Sequence, residues 1–328
     1  MVKQDGEYRD DVALEYFQSG VSKYLNGLKD DARDDFFKVL EYDPGMVLAY
    51  CYLSTIYTDL GEPEAGVEFC VRGLQQERDN TFLHYCMGVA LDRMGRPGEA
   101  IRFYLSYHRE YPEDQECLFN IACAYDMIGS KDDAIRYYEM TLSFQPEHNG
   151  ALFNLALIFS EKAQVDTAIG YLKRIIDADS GFWKAWVKLG ISYSQCGRTL
   201  DAVDAYQQAL SLQPMLTDIR FNLGVCYRIL NRFEKAKECF KQVLIESPND
   251  IQASFNLGLC HMELHNVEKA KEQLQAVINM QLDHEEAHFR LGTLYYMEGE
   301  ENKAKAELSY LQQIDSHFAE YLQGLMLE

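Results

Sequence analysis

Apolar residues fall in two short stripes that alternate along the chain. In residues 183–216, Trp186, Leu189, Gly190 and Tyr193 stand at i, i+3, i+4 and i+7, which is one face of a helix. Beyond Gly197 a second stripe follows, made of Ala202, Tyr206 and Ala209. Asp201 falls in the first turn of that helix, where a carboxylate suits the positive end of the helix dipole. Pro214 then closes the segment, because proline cannot continue a helix interior. The spacing predicts two helices joined near Gly197.

This pattern recurs every 34 residues with no insertion or deletion. Steps from Pro44 reach Arg78, Pro112, Pro146, Ser180, Pro214, Pro248 and Leu282. A second register reads Ala32, Gly66, Ala100, Ala134, Ala168, Ala202, Ala236, Ala270 and Ala304. A third reads Gly20, Ser54, Gly88, Ala122, Ala156, Gly190, Gly224, Gly258 and Gly292. Small residues in both registers predict close approach of the two helices of a unit, where added bulk would overpack at about 1–3 kcal/mol. The helix-ending place reads Gly27, Gly61, Gly95, Gly129, Ala163, Gly197, Asn231, His265 and Gly299. Gly and Asn tolerate the left-handed conformation that commonly ends a helix.

The frame opens at Ala13 and restarts at 47, 81, 115, 149, 183, 217, 251 and 285. Nine units fill residues 13–318, leaving a polar N-terminal tail, 1–12, and a C-terminal piece, 319–328. The rest of these residues leave no room for a separate catalytic fold. The second unit departs most from the pattern. Its Ser54, Gly66 and Gly73 make it the expected soft joint, since a mid-helix Gly costs about 1 kcal/mol against Ala.

The order large residue, Leu, small residue, Tyr, Gly or Asn, Ala, aromatic, small or branched residue, Pro resembles the tetratricopeptide repeat (TPR) family. Trp186, Leu189, Gly190, Tyr193, Gly197, Ala202, Tyr206, Ala209 and Pro214 carry it in one unit. Leu223, Gly224, Tyr227, Asn231, Ala236, Phe240, Val243 and Pro248 carry it in the next. The resemblance implies an all-α fold: a right-handed α-solenoid superhelix of nine helix-turn-helix repeats with a short C-terminal capping helix. Units of such an array touch only their neighbours, and its ends need capping. Ser316 is expected to cap the last helix. Phe318, Tyr321, Leu322, Leu325 and Met326 are expected to pack back, with Glu320, Gln323 and Glu328 facing water. The alternative is that the 318–327 segment docks a second chain.

The same resemblance implies that the first helices line a concave groove through the second, fifth, sixth, ninth, twelfth and thirteenth residues of each repeat. The sixth place reads Gln18, Tyr52, Cys86, Asn120, Asn154, Lys188, Asn222, Asn256 and Arg290. Phe119, Phe153, Phe221 and Phe255 immediately precede the four Asn. An Asn amide both donates and accepts, so a row of them can pair with the backbone of an extended segment whatever its side chains. Lys184 and Lys188 are four apart, on one helix face. Together with Asn154 they match two of the three elements by which some TPR proteins grip a partner's terminal carboxylate. Phe119 and Cys123 stand where the first element needs Lys and Asn, so the match is partial.

Composition narrows the partner. The chain carries 31 Lys and Arg against 52 Asp and Glu, a net charge of -21. Phosphate backbones and anionic lipids attract basic surfaces, so neither nucleic acid nor membrane is expected. The nine Cys fit no zinc or disulfide spacing and are expected to be reduced core residues. Cys196, beside Gly197, is the expected exposed exception. His261 and His265, and His284 and His288, are each four apart, yet His265 holds the helix-ending place and His261 and His288 fall in aromatic core places, so no metal is expected. No catalytic or phosphate-loop pattern is present, and no cofactor is expected. The N-terminus lacks an apolar signal core and no apolar run approaches the ~20 residues of a bilayer span. The expectation is a cytoplasmic, non-enzymatic adaptor that binds a protein segment in its groove. The alternatives are a structural subunit of a larger assembly or a secretion-type chaperone.

Overall fold

In a computed structural model, backbone is described for residues 2–327 and side chains for residues 10–327. Met1 and Glu328 lie outside the described residues, so the expected exposure of Glu328 does too. The described residues form nineteen helices and no strand, grouped in two compact units, residues 1–158 and 159–328.

The first unit holds α1 (Val2–Leu25), α2 (Lys29–Tyr42), α3 (Val47–Asp59), α4 (Pro63–Gln76), α5 (Thr81–Arg93), α6 (Pro97–Glu110), α7 (Gln115–Met127) and α8 (Lys131–Phe144). Helix α9 (Asn149–Glu161) runs through the division. The second unit holds α10 (Val165–Ala178), α11 (Trp183–Gln195), α12 (Thr199–Leu212), α13 (Thr217–Ile229), α14 (Phe233–Glu246), α15 (Ile251–Glu263), α16 (Val267–Met280), α17 (Glu285–Met297), α18 (Glu301–Gln313) and α19 (Phe318–Leu327). Within each unit odd and even helices form hairpins, and each even helix packs on the next odd one. Each unit is therefore an α-solenoid segment, with its core running between the hairpin layers.

From α3 to α17 the odd helices begin where the 34-residue frame restarts. The residue just before each start decides how the first turn is closed. Asn80, Asp114 and Asp250 accept from the backbone N–H three residues on, at 3.0, 2.8 and 2.8 Å. His148 and His284 do the same through Nδ1, at 3.0 and 3.2 Å. Met46 and Leu216 have no such oxygen or nitrogen, and α3 and α13 start without a side-chain cap. In the even helices α4 and α6, Pro63 and Pro97 open the first turn, where a missing N–H costs nothing.

The helix-ending residues are left-handed at all nine places. The Gly φ values run from 70° to 85°, and Ala163, Asn231 and His265 sit at 57°, 56° and 57°. The small-residue register is equally literal, with one shift of neighbour. A Cβ on Gly190 would lie 2.5 Å from the Tyr206 ring, and one on Gly88 would lie 2.6 Å from Tyr104. The facing group is thus the aromatic ring of the second helix, four residues beyond Ala202.

Three expectations change. Helix α1 begins at Val2, so the residues read as a tail continue it. Gly66 and Gly73 are close-approach glycines: a Cβ would meet Thr58 Oγ1 at 2.5 Å and Leu83 Cδ1 at 2.7 Å. That joint is tight where softness was expected. In α19, Leu322 and Ala319 are buried and Phe318 stacks on Phe289 at 5.2 Å, but Tyr321 is 63% and Leu325 38% exposed. The buried stripe runs through Ala319, Leu322 and Met326 instead, itself an i, i+3, i+7 face, and this rotation turns Tyr321 and Leu325 to its edge.

Candidate functional site

The odd helices present the residues singled out in the sequence, and the structure treats them unequally. In the first unit, Asn120 gives its amide to the Tyr85 phenol at 3.0 Å and Asn154 to the Tyr138 phenol at 2.8 Å. Burial pushes both phenols well above their ordinary range, which keeps them neutral acceptors there. Phe119 packs against His148, ring centroids 4.6 Å apart, and Phe153 is half-buried on α9.

In the second unit, Asn256 is only 7% exposed and donates to Gln252 O in its own helix at 2.8 Å. Phe255 beside it is buried against His284, 4.8 Å away. Asn222 differs: it makes no hydrogen bond among the described residues. With Phe221 it lines an open cavity of ≈ 390 Å³. Thr217 and Asp218 of the first turn of α13, Ser247 and Asp250 of the following connection, and Gln252 of α15 complete its polar wall. Phe221 is fixed from behind by an edge-to-face contact with Phe240 at 5.5 Å.

Thr217 and Asp218 also line a neighbouring cavity of ≈ 410 Å³ whose other walls are Trp183, Val187, Met215 and Leu216. Thr217 and Asp218 thus stand between two open cavities, the one toward α11 lined mainly by apolar residues and the one toward α15 carrying the Asn222 and Gln252 amides. Lys184 and Lys188 are exposed on α11 and form no ion pair among the described residues. Lys184 Nζ lies 5.7 Å from the Trp183 ring. Arg290 of α17 is held by Glu286 at 2.9 Å and lines a third cavity with Arg228.

The structure thus brings Asn222, Phe221 and Lys184 to open surface in one unit. It engages an amide N–H of each of Asn120, Asn154 and Asn256 with an internal partner. Sequence reasoning passed over Asp218, Gln252 and Arg228, although they occupy the second and twelfth groove places. Met215 and Leu216 carried no signal, because they belong to a connection.

The other candidates lie apart from this face. His288 is buried between Glu307 Oε2 at 2.6 Å and Leu282 O at 2.8 Å, stacked on Tyr310. His284 caps α17, and His265 is the left-handed residue after α15. Trp186 donates to Ser180 O at 2.9 Å. Cys196 is exposed and the other eight Cys are buried or half-buried. Burial lifts the Cys70 and Cys117 thiols to about 12.

Hairpins at a fixed period, with an open amide- and aromatic-lined cleft on the first helices, define a helical-repeat interaction scaffold. Family models described as tetratricopeptide repeat match residues 119–181, 184–214, 217–250 and 252–280, and the chain belongs to that family. No curated protein matches the sequence. Among solved structures, the C-terminal part of a TPR repeat-containing protein of Cytophaga hutchinsonii is similar at TM-score 0.64 and 12% identity, over 72% of this chain and 97% of that one. PilF of Pseudomonas aeruginosa gives 0.57 and 19%, over 65% and 96%. YrrB, described as a TPR protein with an unusual peptide-binding site, gives 0.53 and 22%, over 56% and 95%. At these identities the likeness is one of fold.

Proposed function

We propose that this chain is a non-catalytic adaptor whose first helices hold an extended protein segment. The repeat family is in general one of protein-interaction modules, and the reading rests on the open cleft around Asn222. Its free amide, Gln252 and Thr217 supply donors and acceptors for a ligand backbone. Trp183, Val187 and Phe221 supply apolar contact, and Lys184 and Lys188 favour acidic ligand groups. Asn120, Asn154 and Asn256 each already give an amide N–H to Tyr85, Tyr138 or the Gln252 carbonyl; their amide oxygens can still accept, but a ligand that takes the engaged N–H must exchange it. That exchange costs a made hydrogen bond, of net worth about 0.5–1.5 kcal/mol. Asn222 requires no such exchange and is the expected anchor.

The test is affinity capture from native lysate with wild type and a Lys184→Ala, Lys188→Ala, Asn222→Ala variant matched for circular dichroism. Loss of a partner from the variant alone supports the groove. Identical partners on both would sink it.

A second reading is favoured by the end helix. Tyr321, Leu325 and Leu327 leave an apolar edge at 63, 38 and 81% exposure, as a subunit that docks through its end would have. Partners kept by the groove variant but lost on Tyr321→Ser, Leu325→Ser, Leu327→Ser substitution would select this reading.

A further inference from the structure

Gly73 of α4 stands where Leu83 of α5 and Tyr50 of α3 both press inward, 2.7 and 2.9 Å from the place a Cβ would take. With no side chain there, α3 and α5 pack on each other more extensively than the other consecutive first helices of their unit. The approach brings two cysteines together, one from each helix. Cys86 Sγ lies 3.8 Å from Cys51 O and 3.8 Å from Thr55 Oγ1. The two thiols also hydrogen-bond to each other. That bond, then burial, pushes the Cys51 thiol up; the same bond, helped by Thr55, outweighs burial and draws the Cys86 thiol down.

The pair is unequal in access as well. Cys86 is partly exposed, whereas Cys51 is buried. A third thiol of the second repeat, Cys70, is fully buried, donates to Ser54 Oγ at 3.0 Å and is pushed up to about 12 by burial. It is held as a thiol and takes no part.

We propose that Cys86 and Cys51 are a reactive thiol and its resolving partner, joined by small-molecule disulfides such as oxidised glutathione into a reversible disulfide between the second and third repeats. The thiolate is the nucleophile. The Cys86 thiolate attacks one sulfur of the small disulfide; that S–S bond breaks, and the leaving thiolate takes up a proton in place of the one Cys86 gave to solvent. Cys51 then loses its proton and attacks the Cys86 sulfur, expelling the second small thiolate, which is protonated in turn. Two protein thiols lose two electrons, and one small disulfide is reduced to two thiols. The second step is intramolecular, so it outruns the build-up of the mixed disulfide. The bond ties α3 to α5 through the fifth place of one repeat and the sixth place of the next.

The test uses the full chain, first reduced, in glutathione buffers of increasing oxidised fraction, followed by alkylation, digestion and mass spectrometry. A linked Cys51–Cys86 peptide is expected, lost again on adding reductant, with Cys70 unmodified in the folded protein. Exposed Cys196 is the internal control: it gains glutathione and forms no link. In Cys51→Ser the glutathione stays on Cys86, at an occupancy at least about tenfold above wild type. In Cys86→Ser, Cys51 stays unmodified.

Glutathione on Cys86 of wild type with no link, a link from either cysteine to Cys70, or no reaction at Cys86 in buffers that modify Cys196 would overturn the proposal. All three outcomes are read on wild type, so a variant that folds poorly does not shield it. The thiol pair lies in the first unit and the Asn222 cleft in the second, so each proposal stands or falls without the other.

Discussion

Ala163 and His265 hold φ near 57° without the freedom of a glycine. The left-handed region costs an L-residue roughly 1–2 kcal/mol, partly offset because a glycine gives the unfolded chain more entropy. Ala163→Gly and His265→Gly should each raise the urea midpoint, by about 0.5–1 kcal/mol in stability. An unchanged or lower midpoint would show that the flanking helices already absorb the strain. His288 carries a pH signature. Burial pulls its imidazolium down, but the Glu307 hydrogen bond, the Leu282 carbonyl and the Glu307 charge together outweigh burial and raise its pKa above the ordinary 6.5. A pKa raised on folding means protonation favours the folded state. The contribution is complete below the unfolded value and disappears as pH rises through the folded one. His288→Gln should therefore cost more stability at pH 6 than at pH 8. His261 has the opposite sign: burial, then Lys237, Lys269 and Lys241, depress it, so its contribution is lost as pH falls. Comparing variant with wild type at each pH isolates His288 from that background.

At the scale of the helix, the glycines divide into two kinds. Gly190 faces Tyr206 with no space for a Cβ, whereas a Cβ on Gly170, exposed on α10, would meet nothing within 4 Å. Gly170→Ala should stabilise by about 0.5–1 kcal/mol through helix propensity alone. Gly190→Ala gains the same propensity but overpacks the Tyr206 ring at about 1–3 kcal/mol, so a net loss is expected. Thermal melts of the two variants, read side by side, check the contrast, and a Gly190→Ala protein as stable as wild type would mean the ring moves freely. The alternation of helix starts and left-handed ends was legible because each depends on local chemistry: a capping side chain, a residue that tolerates positive φ, a proline. Which ring fills the space above Gly190 was less legible. The sequence register named Ala202 as the neighbour, and the helix crossing places Tyr206 there.

For the molecule as a whole, the end of the array carries the sharpest expectation. A Cβ on Gly292 would lie 2.6 Å from Leu322, and Leu322 is fully buried with Ala319 and Leu311. Leu322→Ala should cost about 2–5 kcal/mol, the range for an emptied core leucine, seen first as exchange of α17 amides. Substituting exposed Tyr321 and Leu327 by Ser should change stability by less than about 0.5 kcal/mol. If the end is a docking face, the same pair should alter sedimentation or partner capture without altering the melt. Repeat count, helix order and the place of each turn came from the sequence, because a 34-residue period in three registers repeats the same local constraints nine times. The groove positions came from the family resemblance laid onto that register, so Asn120, Asn154, Asn222 and Asn256 looked equivalent. Only the tertiary structure separated them. A side-chain amide bonds to whatever acceptor its neighbours bring within 3 Å, and neighbours differ from repeat to repeat: Tyr85 for Asn120, Tyr138 for Asn154, the Gln252 carbonyl for Asn256, and none for Asn222. The same reason hid the pairing of Cys51 with Cys86, which depends on the close packing of α3 on α5 rather than on the spacing of residues along the chain.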